Sequence, residues 1–321
     1  MKCKNCGVEN DNNAHFCRNC GGNVFIDDNI SPKRSFNPLL LVGLIIIVFL
    51  VAIGGVSAYI IYFDTSPVEI ISLTNDGANV LENSELAKNM PQSEISEKVL
   101  AQAQSGVPIY KIGDGKGPVS VITAGVHGDQ LNPSVAAMKI INYLDGRKIK
   151  GTVYVLPFTS PDALSKNTKL TNGVNLNQEA DRPGTISYNV VQFAFNNHAS
   201  AVGDFHETQV GKDPGQTTIM CTQVPTYASY QLATDMSSLS LDKQLTYLVA
   251  GITYDGAIED ELNLKGTPAV TPLVQVPGHG KVYQSSVDES FTQMLALLYV
   301  NGNLDSNDSY LKLANMDRDG L

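Results

Sequence analysis

Hydrophobic and polar positions divide the chain into three kinds of segment. Residues 39–63 form one apolar run without a charged residue. From about residue 93, short apolar runs alternate with longer stretches whose apolar residues recur at helical spacing. Residues 64–92 are polar and irregular, with scattered Asn, Ser, Asp and Pro, and are predicted to form a stalk. Residues 302–321 are predicted to be a loosely ordered tail.

The alternating segment, 93–301, is predicted to be one folded domain. Strands followed by helices favour an α/β sandwich built on a mixed, mostly parallel sheet. Two histidines, His127 and His206, follow predicted strands, at the edge where sites collect in such sheets. The predicted strands are 108–112, 119–123, 152–156, 201–205, 217–221 and 269–276. The predicted helices are 94–104, 133–144, 188–197, 225–235, 257–264 and 284–300.

The apolar run at 39–63 is long enough to cross a bilayer as a helix, which needs about 20 residues. Lys33 and Arg34 precede it, and the next basic residue after it is Lys88. The excess of positive charge on the N-terminal side predicts a single-pass protein of the cell membrane, with the N-terminus in the cytoplasm and the C-terminal domain outside. Residues 24–38 are predicted to be a linker.

The first 23 residues contain two C-x-x-C pairs separated by ten residues. Each pair brings two thiolates to one ion, and four thiolates form a closed tetrahedral shell. The segment resembles the short zinc ribbons of prokaryotic membrane proteins, which implies a structural zinc at Cys3, Cys6, Cys17 and Cys20. Because the segment has almost no apolar core, bound metal would supply most of its folding free energy. We expect the ribbon to contact a cytoplasmic protein partner.

Composition narrows the range of functions. Acidic residues outnumber basic ones by 32 to 22, and there is no long basic run, so a nucleic-acid partner is excluded. The hydrophobic content of 43% with 17% charged residues excludes wholesale disorder. Four of the five cysteines lie in the first 20 residues, and Cys221 is predicted to be a buried, unpaired thiol.

Four sequence blocks in the predicted domain carry candidate chemistry: G-V-H-G-D-Q, G-V-N-L-N-Q, G-D-F-H-E-T and G-T-P-A-V-T. In this order and spacing they resemble the zinc carboxypeptidase superfamily, in its succinylglutamate desuccinylase/aspartoacylase branch, over about residues 107–300. The resemblance implies a hydrolase whose zinc is held by a His-x-x-Glu pair and a later His. It also implies an Asn-Arg clamp for the substrate carboxylate and a general-base Glu on a late strand.

The resemblance assigns metal-ligand roles to His127 and His206, and a clamp role to Asn177. Asp204, two residues before His206, is expected to orient that ring. Three positions depart from the pattern, because they hold neutral side chains. Gln130 replaces the ligand Glu, Gln178 replaces the clamp Arg, and the general-base position falls on Leu273 or Gln275.

These replacements predict weakened chemistry. A neutral amide binds a hard cation less well than a carboxylate, and it cannot accept a proton at neutral pH, a loss of about 10²–10⁴-fold. We therefore expect a catalytically impaired domain that binds a peptide, a cell-wall ligand or a protein. The alternative is an active carboxypeptidase or N-acyl-amino-acid deacylase with a second zinc and a rearranged shell. Candidate substitutes are Glu207, Asp129, Arg182 and the acidic run at 259–261, while His279 is expected at the rim.

Overall fold

The computed structural model describes residues 1–23, 46–51, 53, 65–239 and 244–305. The chain divides into two compact units, Met1–Ile60 and Ile61–Leu321. Among the described residues, none of the helices combines the length and the apolar character that crossing a bilayer requires. Most of the span predicted at 39–63 lies outside the described residues. Within that span, residues 46–51 and 53 are described, and they are helical. The predicted linker, 24–38, also lies outside them.

The ribbon consists of two turns with the same backbone pattern. In the first, the Cys3 amide donates to Val8 and the Gly7 amide donates to Cys3. In the second, the Cys17 amide donates to Gly22 and the Gly21 amide donates to Cys17. Both turns close through a glycine with a positive φ of about 70°, a conformation that glycine adopts without steric cost. The repeat places two cysteines in each turn in equivalent positions.

The larger unit is built on an eight-stranded sheet within the described residues, in the order β1-β2-β4-β3-β5-β8-β6-β7. The four central strands, β4, β3, β5 and β8, run parallel, whereas β2 and β6 pair antiparallel to that block. The strands are β1 Val68–Ser72, β2 Pro108–Gly113, β3 Val119–Ala124, β4 Thr152–Leu156, β5 Ala201–Gln209, β6 Thr218–Thr222, β7 Leu245–Leu248 and β8 Ala269–Val276.

Helices cover both faces of this sheet. On one face, α1, α2, α3, α4, α6 and α8 contribute to one buried apolar cluster; on the other, α5 and α7 contribute to a second. The prediction of a mixed, mostly parallel α/β sandwich is confirmed. The helices in the described part of this unit are α1 Ser84–Asn89, α2 Glu94–Ala103, α3 Leu131–Leu144, α4 Pro161–Lys166, α5 Ile186–Asn196, α6 Tyr227–Leu239, α7 Ile258–Leu264 and α8 Gln284–Val300.

The alternating direction of side chains along each strand produces the two buried apolar clusters. In β4, Val153 and Val155 join the first cluster, whereas Tyr154 and Leu156 join the second. Successive side chains of a strand point to opposite faces, so a strand that is apolar at every position must be covered on both sides. The continuous burial of β4 therefore accounts for the layers of helices above and below the sheet.

The structure differs from the predicted domain boundaries at both ends. β1, which lies within the predicted stalk 64–92, pairs antiparallel with β2 as an edge strand of the sheet. Its side chains are exposed or half-buried, which explains why the sequence there lacks a clear apolar pattern. At the other end, Asn303 is buried and lies beyond the predicted boundary at 301. Its amide group donates to the carbonyls of Pro118 and Lys150, which ties the end of the domain to the sheet.

Candidate functional site

The four cysteines of the ribbon converge on one point. The Sγ atoms of Cys3 and Cys20 are 3.6 Å apart, those of Cys6 and Cys17 are 3.5 Å apart, and all four lie within 4.8 Å of one another. Zinc–sulfur bonds of about 2.3 Å in a tetrahedron place the sulfurs about 3.8 Å apart. The donor set and its spacing therefore fit a structural zinc ion.

Hydrogen bonds favour the thiolate form of Cys17 within this cluster, whereas contacts with the other cysteines raise the pKa of Cys20 to about 12. Backbone amides of Cys20 and Asn19 lower the pKa of Cys17 to about 6, and the Asn10 side chain also lowers it. The Asn10 amide donates to Cys17 Sγ at 3.5 Å, while its oxygen accepts from the Arg18 amide at 2.8 Å. Because metal ligands must be deprotonated, these donors help to prepare the site for metal.

In the larger unit, a cavity of about 210 Å³ opens at the carboxyl ends of the central parallel strands. β3 leads to His127, β5 carries His206, and β8 carries Leu273, which pairs with His206 in the sheet register. His206 lies inside β5 rather than after it, since this strand continues to Gln209. The cavity is lined, among others, by His127, Gln130, Asn177, His206, Leu273 and His279.

A close approach of two backbone segments positions His127. A Cβ atom on the next residue, Gly128, would lie 2.1 Å from the carbonyl carbon of Ala163 in α4, so only glycine allows the loop to pass there. The His127 ring is buried, and burial, followed by the nearby His206, lowers its pKa to about 3. The ring is therefore neutral at physiological pH.

The protonated nitrogen of His127 follows from its partner. Nε2 lies 2.8 Å from Asn175 Oδ1, and the other amide atom of Asn175 donates to Gln178, which fixes the amide orientation. Nε2 therefore donates, and Nδ1 carries the lone pair. Within the described residues this buried Nδ1 has no hydrogen-bond partner. His127 is thus held in the state that a metal ion or a hydrogen-bond donor would need.

His206 is in a different state. Its Nδ1 lies 2.8 Å from Gln130 Oε1, and its Nε2 lies 3.0 Å from Asp204 Oδ2. Gln130 cannot turn its amide over without losing two bonds, because Oε1 accepts from the Glu207 amide and Nε2 donates to the Glu207 carbonyl. Both ring nitrogens therefore face acceptor oxygens. Each ring nitrogen is thus occupied by a hydrogen-bond partner, and neither is free for a metal in this arrangement.

Asp204 has the orienting position that the sequence predicts for it. Its Oδ2 faces His206, and its Oδ1 accepts from Thr123 Oγ1 at 2.6 Å. Both side chains are almost fully buried. The His206 ring is consequently fixed from both sides, by Asp204 below and by Gln130 above.

Glu207, predicted as a substitute catalytic group, forms hydrogen bonds with residues outside the histidine pair. Its Oε1 accepts from the backbone and side-chain nitrogens of Asn132, at 2.8 and 2.6 Å. Its Oε2 lies 2.9 Å from Nδ1 of His279, a partly exposed residue that lines the cavity. The carboxylate therefore connects the start of α3 to the loop after β8, and does not join the histidine pair.

The remaining predicted site residues divide into two groups. Asn177 and Leu273 line the cavity, and Asn177 Oδ1 is buried without a partner in the described part of the chain. In contrast, Gln178 and Gln275 are exposed, and Gln275 donates to the Gly215 carbonyl. Arg182, the candidate substitute for the clamp, forms an exposed ion pair with Glu179 at 3.1 Å. Neither the clamp Arg nor the general-base Glu has a charged replacement at these positions.

The donors around the two histidines do not fit a catalytic zinc of the His₂Glu type. Across the described ranges, groups of at least three His, Cys, Asp or Glu side chains close enough to share a metal occur at the four cysteines and at Asp255, Asp260 and Glu261. The pair His127 and His206 has no third such donor, and Gln130 offers a neutral oxygen that is already bonded. Catalytic zinc sites ordinarily use three protein ligands with an open fourth position.

One of the candidate substitutes in the acidic run at 259–261 is a buried carboxyl group in the cavity wall. Glu259 lies in the first turn of α7, is buried and lines the cavity. Burial raises its pKa to about 8, although hydrogen bonds from Thr222 and Asn263 oppose the shift. The sequence alone does not indicate which residue of the run faces the cavity.

Comparison with known proteins places the fold. No family model matches the chain. A segment of 91 residues is 25% identical to the N-alpha-acetyl-L-2,4-diaminobutyric acid deacetylase of Halomonas elongata, and spans 27% of each chain. Similar solved structures include the product-bound ectoine utilization protein EutE (DoeB) from Ruegeria pomeroyi, at 17% identity and a TM-score of 0.52. Another is a succinylglutamate desuccinylase from Silicibacter sp. TM1040, at 18% identity and a TM-score of 0.53.

These similarities establish the fold and not the activity. The match covers 64% of this chain and 65% and 64% of the two solved proteins, so the chain spans slightly less than two thirds of their length. It spans about a quarter of the length of the curated relative. The larger unit therefore has the fold of the succinylglutamate desuccinylase/aspartoacylase structures.

Proposed function

We propose that the larger unit binds a ligand in a deacylase-type cavity without efficient turnover. The ligand class is a peptide, a cell-wall stem or a segment of a partner protein. Residues 39–63 anchor the chain in the cell membrane, with the ribbon in the cytoplasm and the larger unit outside. The ribbon holds a structural zinc and contacts a cytoplasmic protein.

The observation that carries this proposal is the position of Gln130. Its oxygen caps His206 Nδ1 at 2.8 Å, and two hydrogen bonds to the Glu207 backbone hold it there. An amide in this position removes negative charge and also occupies the nitrogen that a metal would need. The replacement of the general-base carboxyl by Leu273, which pairs with His206 in the sheet, removes a second requirement for hydrolysis.

Binding capacity is supported by polar atoms that still face the cavity. His127 Nδ1 and Asn177 Oδ1 are buried and without partners among the described side chains. Buried polar atoms without partners cost about 1–3 kcal/mol each, so a ligand that satisfies them gains affinity. A donor group, such as the amide of a peptide, would satisfy both acceptors.

The alternative function, an active zinc hydrolase, has one observation in its favour. The tautomer of His127, fixed by Asn175 at 2.8 Å, leaves Nδ1 as a lone-pair donor, as a metal ligand requires. An active site would then need His206 to release Gln130 and a further anionic donor to enter the shell. Asp129, next to Gln130 in the sequence, is the candidate for that donor, because its Oδ1 is buried and has no partner in the described structure.

Metal content and hydrolysis distinguish the two functions. The purified full chain should hold one zinc, which is lost in Cys3→Ser and retained in the double variant His127→Ala, His206→Ala. It should not hydrolyse N-acetyl amino acids, N-succinyl amino acids or peptides. A second zinc that disappears in His127→Ala, together with hydrolysis that disappears with it, would establish the enzyme instead.

Topology is tested separately. In intact cells, a membrane-impermeant thiol reagent should leave Cys3 and Cys6 unlabelled until the membrane is opened. A protease added outside should degrade the larger unit. Labelling of these cysteines in intact cells would reverse the proposed orientation.

A further inference from the structure

A second group of side chains, at the start of α7, has the composition of a cation site. Asp255 lies in the loop before α7, and Asp260 and Glu261 lie in α7 itself. One carboxylate oxygen from each lies within 4.8 Å of the others. Acidic groups are common at the start of a helix, so the cluster needs a further observation before it indicates a ligand.

Asp260 provides that observation. The side chain is 1% exposed, and its Oδ1 accepts from the Gly251 amide at 2.8 Å. Its Oδ2 is buried and has no hydrogen-bond partner within the described residues. A buried carboxylate oxygen without a partner is costly and is ordinarily compensated by a donor or a cation.

The surrounding charges favour a cation over a donor. Burial raises the pKa of Asp260 and of Glu261. Hydrogen bonds from the Gly251 and Gly256 amides oppose the first shift and Lys265 opposes the second, while the carboxylates of Asp255 and Asp181 add to the respective shifts. Glu261 has a basic neighbour, since Lys265 Nζ lies 3.6 Å from its Oε2. Three carboxylates at this spacing repel one another, and a divalent ion between them would turn this repulsion into attraction.

We infer that Asp255, Asp260 and Glu261 form a binding site for a hard divalent cation of the calcium type. An all-oxygen donor set suits calcium or magnesium rather than zinc. Calcium–oxygen bonds of about 2.3–2.6 Å place oxygens on opposite sides of the ion about 4.6–5.2 Å apart, which accommodates the observed spread. Asp255 is exposed, so the ion can enter from solvent and retain water as its remaining ligands.

The site would act on the wall of the cavity. The segment between Gly251 and Asp260 includes Tyr254 and Ala257, both of which line the cavity. Asp260 already holds Gly251 through one oxygen, and a cation shared with Asp255 would fix the same loop at a second point. Cation binding would therefore order the cavity wall, whichever function the histidine pair performs.

Terbium luminescence offers a direct test. The chain contains no Trp, and Tyr254 immediately precedes Asp255, so excitation of tyrosine should sensitise a terbium ion bound there. With the zinc-loaded full chain in calcium-free detergent buffer, we expect a saturable signal that calcium displaces. Calcium should also raise the Tm of the larger unit. Absence of a saturable signal, or a signal that calcium leaves unchanged, would overturn the inference.

Variants locate the ion. Asp260→Asn and Asp255→Asn should each weaken terbium and calcium binding by ~10-fold or more, because the affinity of such sites depends on the number of charged ligands. Asp255 is exposed, so its variant tests the site without disturbing the core. Asp114→Asn, an exposed carboxylate between β2 and β3, is the matched control and should bind as the wild type does. Equal affinity in all three variants would place the ion elsewhere and refute the site.

Discussion

The chain contains two places where zinc chemistry is expected, and they differ in how their donors are used. In the ribbon, four sulfurs lie 3.5–3.6 Å apart in pairs, and the surrounding amides favour the thiolate form of Cys17. In the cavity, one histidine presents a free nitrogen while the other is bonded on both sides. A buried histidine in such a cavity can thus either present a nitrogen to a ligand, as His127 does, or form hydrogen bonds that stabilise the fold, as His206 does.

The two places differ in what stabilises their side chains. Gln130, at the position where the sequence resemblance implies a charged ligand, forms three hydrogen bonds with His206 and Glu207. These bonds satisfy groups that would otherwise be buried and unpaired. The ribbon has no comparable substitute, because it has almost no apolar core to replace its metal.

The largest effect is expected at the ribbon. Cys17→Ser removes one of four thiolates, and structural zinc supplies about 10–16 kcal/mol of apparent binding free energy in such small units. We expect zinc to be lost and residues 1–23 to unfold, measured by elemental analysis and by hydrogen exchange. Cys221→Ser should retain the metal. A ribbon that stays protected from exchange without zinc would contradict this account.

The next effect concerns the buried carboxyl group of the cavity. The pKa of Glu259 is raised to about 8 in the folded state from 4.5, so its protonated form favours folding below about pH 4.5 and this contribution is lost as pH rises through 8. Glu259→Gln should therefore gain stability relative to the wild type across this window, by about 5 kcal/mol. Urea unfolding at several pH values measures the difference. The exposed variant Glu97→Gln should show a flat difference, and equal slopes for both variants would refute the prediction.

A smaller effect is expected when the missing charged donor is restored. Gln130→Glu adds negative charge beside His127 and His206, and zinc affinity of the cavity should rise by at least ~10–100-fold, the range seen when partners of metal ligands are changed. Zinc titration of the full chain measures the gain. Gln275→Glu, an exposed change on β8, is the control. If both variants bind alike, the account of Gln130 is wrong.

The smallest effect separates the two residues of the predicted clamp. Asn177→Ala removes a cavity-lining amide and should weaken ligand binding, whereas the exposed Gln178→Ala should change binding and stability by less than about 0.5 kcal/mol. Calorimetry with a peptide ligand and urea unfolding measure both. A larger loss in Gln178→Ala than in Asn177→Ala would place the clamp elsewhere.

Much of the architecture could be predicted from the sequence, because strands such as β4 and β8 are largely apolar and have clear boundaries. Their observed bounds, Thr152–Leu156 and Ala269–Val276, match the prediction. β1 and β7 were missed since each is a short edge strand with exposed or half-buried side chains. Edge strands lack the two-sided burial that produces an apolar run.

The sequence predicts which residues form the candidate site, but not their hydrogen bonds or their burial. His127, His206 and Asn177 line the same cavity, and Asp204 hydrogen-bonds His206. The bonding of Gln130, the contact of His279 with Glu207 and the burial of Glu259 depend on which loops pack together in three dimensions. Spacing along one chain carries no information about such contacts between distant segments.

The strand order sets when the domain can be completed during synthesis. β8 comes last in the chain but lies between β5 and β6, so β6 and β7 can join the rest of the sheet only through it. Leu273 and His279 reach the cavity with β8 and the loop after it. Asn303, which donates a hydrogen bond to the Pro118 carbonyl just before β3, is synthesised later still. Until β8 has been synthesised, the sheet is therefore divided in two, and its unpaired strand edges are open to contact with other proteins.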